Sequence, residues 1–336
     1  MNEQAFHTNF LTLCGHQQAR ASLQKGGRRQ PFPSLVFDGP SSIGKRLTAV
    51  WYGAYLNCLA ADEKAPCGIC TSCKKILQGS HPDLHYTRVP EKKTVVGVSE
   101  VREAIHEIHH APFEGNYRVW VIEEGERLTD EAQNALLKTL EEPPGRAVIL
   151  LVTCLAGTLL PTVSSRCRLV RFQGLPRPEM LSALQQQGAD DELAESLTSL
   201  CDGALGAALS LLRDPKSLQE RDSVIGLFAE LPGSDLWGAV EAAQTLEKSK
   251  LQSPAAVLEL GMSFYRDLLV LSAGCEQLVL HKDRLSRLQE LAANLPPASI
   301  RRAISEFQEA EQFLQRNVSP RLLMQRLCVN LSKVSV

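Results

Sequence analysis

The sequence predicts an α/β domain built on a parallel sheet, followed by an all-helical half. Three observations carry this. Short apolar runs bounded by turn residues alternate with Ala/Leu-rich stretches through the first half. The first of these runs opens a Gly-rich loop that leads straight into a helix. From Pro176 onward only Ala/Leu-rich helical periods are found, with no convincing strand.

Each element has its own reason. Ser34–Asp38 (SLVFD) is an apolar run ending in a Gly-rich turn, so it reads as a buried strand. Arg46–Ala60 is rich in Ala and Leu with few breakers, which predicts a helix. Tyr117–Glu123 (YRVWVIE) is a second buried strand. Over Asp130–Leu140, residues Ala132, Ala135, Leu136 and Leu140 repeat at helical spacing, and Pro143-Pro144 stops the helix. Arg146–Val152 and Arg168–Phe172 supply two further strands. In the helical half, Leu231-Pro232-Gly233-Ser234 breaks a smaller piece from a larger one.

Composition bounds the function. A chain of 336 residues suggests two or three domains with ample core. It contains no apolar run of about 18 residues, so no membrane span is expected. The opening MNEQAFHTNF lacks the basic-then-apolar order of a signal peptide. Ten cysteines in a large chain of this kind point to a reducing cytoplasm. A net charge of −2 argues against holding duplex DNA by the chain's own field, so DNA contact is local or left to partners.

Gly39-Pro40-Ser41-Ser42-Ile43-Gly44-Lys45 fits G-x-x-x-x-G-K, between a strand and a helix. Its glycines let amides turn toward phosphate, the helix N-terminus adds positive potential, and Lys45 can reach outer phosphates. The next residue should be a Ser or Thr that ligates Mg²⁺. It is Arg46, which cannot ligate a metal and brings its own positive charge. After the second strand an Asp normally supports Mg²⁺, and here Glu123 stands in its place. Glu126, further on, is expected on the solvated surface.

Cys58, Cys67, Cys70 and Cys73 are spaced C-x₈-C-x₂-C-x₂-C. Two residues between thiolates let both face one ion, and four thiolates satisfy tetrahedral Zn²⁺ with no open position, so the zinc would be structural. Pro66, Gly68 and Ser72 supply turn chemistry around them. Cys14, Cys154, Cys201, Cys275 and Cys328 are expected as small buried residues. His106-Glu107-Ile108-His109-His110 matches H-E-x-x-H, the pattern of a zinc protease. No third-ligand motif follows it, and Val101, Ile105 and Ile108 form an apolar stripe, so a helix with solvent-facing histidines is the simpler reading.

Ser165-Arg166-Cys167, with LLPTV before it and NALLKTLEEPP at Asn134–Pro144, resembles the Ser-Arg-Cys signature of the bacterial clamp-loader AAA+ family. Phe10 and Gly15-His16 resemble the box that borders the adenine in that family. GSHPDLHY, the VREA helix start at Val101 and Asn317–Leu323 are also similar. The resemblance implies an AAA+ module over 1–173 with a zinc module at 58–73, a helical lid over 174–233 and a helical collar over 234–336.

It also implies roles. Arg166 would be a finger acting in trans on a neighbour's ATP. Glu124 stands where the family has its water-activating Glu, and Thr153 where it has its polar sensor. Gly206 takes the place of the lid Arg that touches nucleotide. With Arg46, Glu123 and Gly206 all departing from the pattern, no turnover of its own is expected, and ATP binding is left open. The partners implied are the delta and gamma/tau subunits and, through them, the sliding clamp and primed DNA, within a DNA-directed DNA polymerase holoenzyme. An ATP-hydrolysing gamma/tau-type motor subunit is the alternative.

Overall fold

The computed structural model describes residues 10–90, 93–249, 254–281, 284–315 and 318–334. Residues 1–9 of the N-terminal stretch, and Asn317 of the Asn317–Leu323 segment, lie outside the described residues. The chain divides into two compact units, Met1–Ala183 with Gly203–Gly206, and Leu184–Asp202 with Ala207–Val336.

In the first unit the order is α1 (Gln17–Gln24), β1 (Ser34–Asp38), α2 (Lys45–Asn57), α3 (Thr71–Leu77), β2 (Leu84–Thr87) and α4 (Val98–Ile108). Then come β3 (Arg118–Ile122), α5 (Asp130–Glu141), β4 (Ala147–Thr153), α6 (Pro161–Ser164), β5 (Arg168–Arg171) and the start of α7 (Arg177–Gln186). The strands form one parallel sheet in the order β2-β3-β4-β1-β5. Both faces of the central strands β1, β3 and β4 are covered, so these read as unbroken apolar runs. Leu35, Phe37, Val119, Val121, Val148 and Leu150 turn to one core. Val36, Trp120, Ile122, Ile149 and Leu151 turn to the other. Because every strand runs the same way, the ends of β1, β3 and β4 share one edge, where open α/β sheets bind ligands.

The structure adds β2, which pattern reading passes over. LHYT is short, lies at the sheet edge with only its middle pair partly open to solvent, and lacks an apolar run. It is fixed by pairing with β3 and by the Trp120 indole, which donates to Thr87 Oγ1 at 2.9 Å. The helix expected to reach Ala60 ends at Asn57, and Cys58 is extended. Asn57 spends its amide on the backbone of Tyr117, donating to its carbonyl at 3.0 Å and accepting from its N–H at 2.9 Å. Helix α5 runs from a Thr129 cap, whose Oγ1 accepts from Ala132 N at 3.2 Å.

The second unit is helical throughout its described residues. The end of α7 is followed by α8 (Asp191–Cys201), α9 (Leu205–Arg213, whose first two residues belong to the first unit), α10 (Pro215–Glu230), α11 (Leu236–Glu247), α12 (Pro254–Ser272), α13 (Leu285–Asn294), α14 (Pro297–Gln315) and α15 (Pro320–Ser332). Helix α11 packs along α15, and α12 along α14. Phe228, Phe264, Tyr265 and Phe307 fill the core. Gly261 makes this possible, since a Cβ there would lie 2.3 Å from the Phe307 ring and 2.8 Å from the Phe228 ring. No described helix is long and apolar enough to cross a membrane.

Candidate functional site

The Gly39–Lys45 loop joins β1 to α2 at the carboxyl edge of the sheet. Its turns need unusual backbone: φ is +148° at Gly39, +57° at Ser42 and +106° at Gly44. A Cβ at Gly39 would meet Phe172 O at 2.3 Å. Lys45 is 5% exposed and folds its ammonium onto the carbonyls of Gly39 and Pro40, each at 2.5 Å. Burial lowers its pKa, opposed by Cys154, Glu126 and Asp38 nearby. His16 closes the other side, with Nε2 2.6 Å from Ile43 O and its ring edge-on to Phe172.

At the Mg²⁺ corner the sequence expectation takes a definite form. Arg46 Nε stands 2.8 Å from Glu123 Oε1 as an ion pair, and Arg88 Nε stands 3.1 Å from Glu123 Oε2. One carboxylate is therefore faced by two guanidinium groups. Arg88 also lies over the Tyr86 ring at 5.5 Å. Sequence reasoning misses it, because it follows the edge strand β2, which has no apolar run to mark it.

Glu124 turns outward with φ +53° and pairs with Arg127 at 3.4 Å. Thr153 is buried at the end of β4 and donates to Glu126 at 2.8 Å. The expectation that Glu126 is a solvated surface residue is thus corrected. The short 3₁₀ turn Gly125–Arg127 folds it back, and it also accepts from Cys154 N at 3.0 Å. Cys154 itself is exposed rather than buried, with its sulfur 3.9 Å from Lys45 Nζ, because it leaves the strand at the sheet edge.

Gly206 N donates to Ser42 O at 2.8 Å, so the loop is touched directly by this backbone. A Cβ at Gly206 would lie 2.7 Å from the same oxygen. Gly206 therefore has no room for any side chain without movement.

The four cysteines converge, with all Sγ atoms within 4.8 Å of one another. Cys58 and Cys70 sulfurs are 4.0 Å apart, close to the ~3.8 Å edge of a tetrahedron with Zn–S bonds near 2.3 Å. Backbone amides point at the sulfurs: Ala60 N and Cys67 N at Cys58, Cys70 N at Cys67 and Cys73 N at Cys70, each at 3.4 Å. The amides of Cys70 and Ile69 pull the Cys67 thiol down to about 6, while burial pushes Cys58 and Cys73 up. An all-sulfur, closed donor set of this kind can hold a metal ion. The module is anchored below by Arg28, which donates to the carbonyls of Cys58 and Ala60.

His106, Glu107 and His110 also lie within 4.8 Å of one another, but all are exposed. The guanidinium of Arg118 lies 3.8 Å from the Glu107 carboxylate. Val101 and Ile108 bury the opposite face of α4, as the apolar stripe requires.

Arg166 follows α6 on the exposed surface. Its Nε and Nη2 face Glu141 Oε1 at 2.7 and 2.5 Å, and Nη1 donates to Thr162 O at 2.8 Å. Arg168, two residues on, behaves differently and stacks on Phe32 at 3.8 Å. Burial raises the Cys167 thiol to about 12. Lys45, the Glu123 carboxylate with its two arginines, and the buried Thr153 are thus brought together at one sheet edge, while Glu124 and Arg166 stand outward.

A family model described as DNA polymerase III, delta subunit, matches residues 16–176. The chain is 35% identical to DNA polymerase III subunit delta' of Pseudomonas aeruginosa over 199 residues, 59% of this chain and 60% of that one. That match therefore spans less than two thirds of the relative. The chain is 34% identical to subunit delta' of Escherichia coli K12 over 256 residues, covering 75% of this chain and 74% of the relative. It is 26% identical to subunit tau of Bacillus subtilis over 351 aligned residues, covering 97% of this chain and 62% of the relative. The loop, the Glu123 corner, the four cysteines and Arg166 all fall within residues 16–176, and with a third of positions shared over three quarters of both chains, the chain belongs to the family of DNA polymerase III delta-prime subunits.

Proposed function

We propose that this chain is the non-hydrolysing delta-prime-type subunit of a DNA polymerase III clamp loader and lends Arg166 to a neighbouring ATPase subunit. The observation that carries this reading is the Arg46–Glu123 ion pair at 2.8 Å. A P-loop enzyme needs a divalent ion between its loop hydroxyl and its strand-end carboxylate. Here a guanidinium answers the carboxylate, so the charge that should hold Mg²⁺ is already neutralised.

The same reading gives the other parts their roles. Gly39, Gly44 and Lys45 keep the form of a phosphate loop, and Thr153 and Glu124 are relics of the sensor and base. Residues 1–173 serve as the AAA+ module, 174–233 as lid and 234–336 as ring-forming collar. Cys58, Cys67, Cys70 and Cys73 hold a structural zinc, whose four thiolate bonds supply folding energy to the loop after α2. The neighbours are an ATP-binding gamma/tau subunit and the delta subunit, and the task is loading the sliding clamp onto primed DNA in the cytoplasm.

The test compares complexes rebuilt with the wild-type chain or Arg166→Ala. Gel filtration should show normal assembly, and DNA- and clamp-stimulated ATP hydrolysis should fall. Fingers contribute on the order of 10³ or more at one site, and the whole complex should lose less because other sites remain. A mutant complex that assembles and loads clamps at the wild-type rate would refute the finger. Mg²⁺-dependent turnover by the isolated chain, abolished by Lys45→Ala, would favour the gamma/tau motor reading.

A further inference from the structure

We infer that Glu141 is a positioning residue for Arg166, holding one edge of the guanidinium so that its outer end is presented to a neighbour's phosphate. This rests on the finger reading above. The geometry of the pair is specific. Nε and Nη2 both meet Glu141 Oε1, at 2.7 and 2.5 Å, and Nη1 is held by Thr162 O at 2.8 Å. These contacts take the inner side of the guanidinium fan. Nη1 also approaches Ser165 Oγ at 3.5 Å, and the side chain stays 36% exposed. Nη2 carries two N–H groups, of which one is enough to meet the single Glu141 oxygen.

The two residues also ride on one frame. Glu141 is the last residue of α5, whose Ala132, Leu136 and Leu140 are buried. Gln133 on that helix accepts from Leu160 N at 2.7 Å, at the start of α6. Val163 of α6 is buried, and Arg166 N returns to Val163 O at 3.1 Å. Carboxylate and guanidinium are thus set on packed elements, and only the Arg side chain needs orienting. A free Arg samples many rotamers, and the Glu141 carboxylate narrows them before the neighbour arrives.

Helix stability gives no reason for Glu141. A carboxylate in the last turn opposes the helix dipole. Nor is the pair a lock. Glu141 is 49% exposed, and exposed ion pairs are weak because water screens them. A phosphoryl oxygen can therefore engage the outer end while Glu141 keeps the inner edge. Orientation of this kind acts on rate more than on binding.

The experiment uses rebuilt complexes carrying wild type, Glu141→Gln, Glu141→Asp, Arg166→Ala and the double variant Glu141→Gln/Arg166→Ala. Stimulated ATP hydrolysis is measured as separate kcat and KM for ATP, with assembly checked by gel filtration. Glu141→Gln should lower kcat by about three- to ten-fold, leave KM and assembly unchanged, and be partly rescued by Glu141→Asp. The double variant should be no slower than Arg166→Ala, because Glu141 acts only through that Arg. A wild-type kcat in Glu141→Gln overturns the inference while the finger stands. So does a raised kcat, which would make Glu141 a latch, or an additive loss in the double variant. A wild-type rate in Arg166→Ala removes the finger itself, and this inference with it.

Discussion

Arg46 Nε lies 2.8 Å from Glu123 Oε1, and Arg88 Nε approaches the other oxygen of the same carboxylate at 3.1 Å. The first residue of the loop helix after the lysine and the first residue after β3 are thereby joined by a protein cation. The carboxylate is only 14% exposed, so leaving it unpaired would be costly. Two guanidinium groups remove that cost without a metal.

Restoring a hydroxyl alone should therefore fail to restore turnover. Arg46→Thr leaves Glu123 paired with Arg88, and Gly206 still supplies no Arg. Phosphate release by the isolated variant is expected at the level of Lys45→Ala. Thermal stability should drop by about 1 kcal/mol from the lost pair. Mg²⁺-dependent turnover above the Lys45→Ala level in Arg46→Thr would show that Arg46 was the sole block.

Gly206 is expected to tolerate no side chain. A Cβ would sit 2.7 Å from Ser42 O, a backbone atom held by the Gly206 amide itself. Gly206→Ala should destabilise by about 1–3 kcal/mol. Gly226 inside α10 makes the control, since a Cβ added there would meet nothing within 4 Å. Gly226→Ala should stabilise by about 0.5–1 kcal/mol. Equal effects of the two changes on the denaturation midpoint would contradict the close approach.

One zinc per chain should co-purify and be lost in Cys70→Ser, with metal content read by atomic emission. Cys70 is the shared residue of both C-x₂-C steps and its sulfur receives the Cys73 amide. His106→Ala should keep the metal, since that exposed trio shares no ligand with the cysteines. Retention in Cys70→Ser together with loss in His106→Ala would reverse the assignment.

Acid should weaken the second unit through Asp267. Burial alone would raise its carboxyl, but the His281 ring at 2.8 Å and the amides of His281 and Leu280 outweigh it, and the pKa is lowered. A carboxyl lowered on folding contributes stability that is fully present above its unfolded value, 3.8, and is lost as pH falls through the folded value. Asp267→Ala should therefore cost about 3 kcal/mol at pH 7, less at pH 3. Urea denaturation at both values checks this, and an equal penalty at both would count against the pair.

Elements whose chemistry is local are legible in the chain alone. The Ser34–Asp38 strand, the glycine loop, the Asp130–Leu140 helix and the helical second half follow from hydrophobic period, turn residues and proline stops, all set within a few residues. The C-x₂-C spacing likewise brings its thiols together through short turns. Strand β2 becomes visible once β3 is in place beside it, because a short edge strand takes its stability from its partner rather than from its own pattern. The same holds for Arg88 and Glu126, which meet Glu123 and Thr153 across strands or through a turn. Gly206 on Ser42 and Glu141 on Arg166 are likewise pairings across the fold. Each depends on which elements the parallel sheet and its crossovers set side by side, and side-chain contacts of a few ångströms between distant residues leave no periodic trace in the chain.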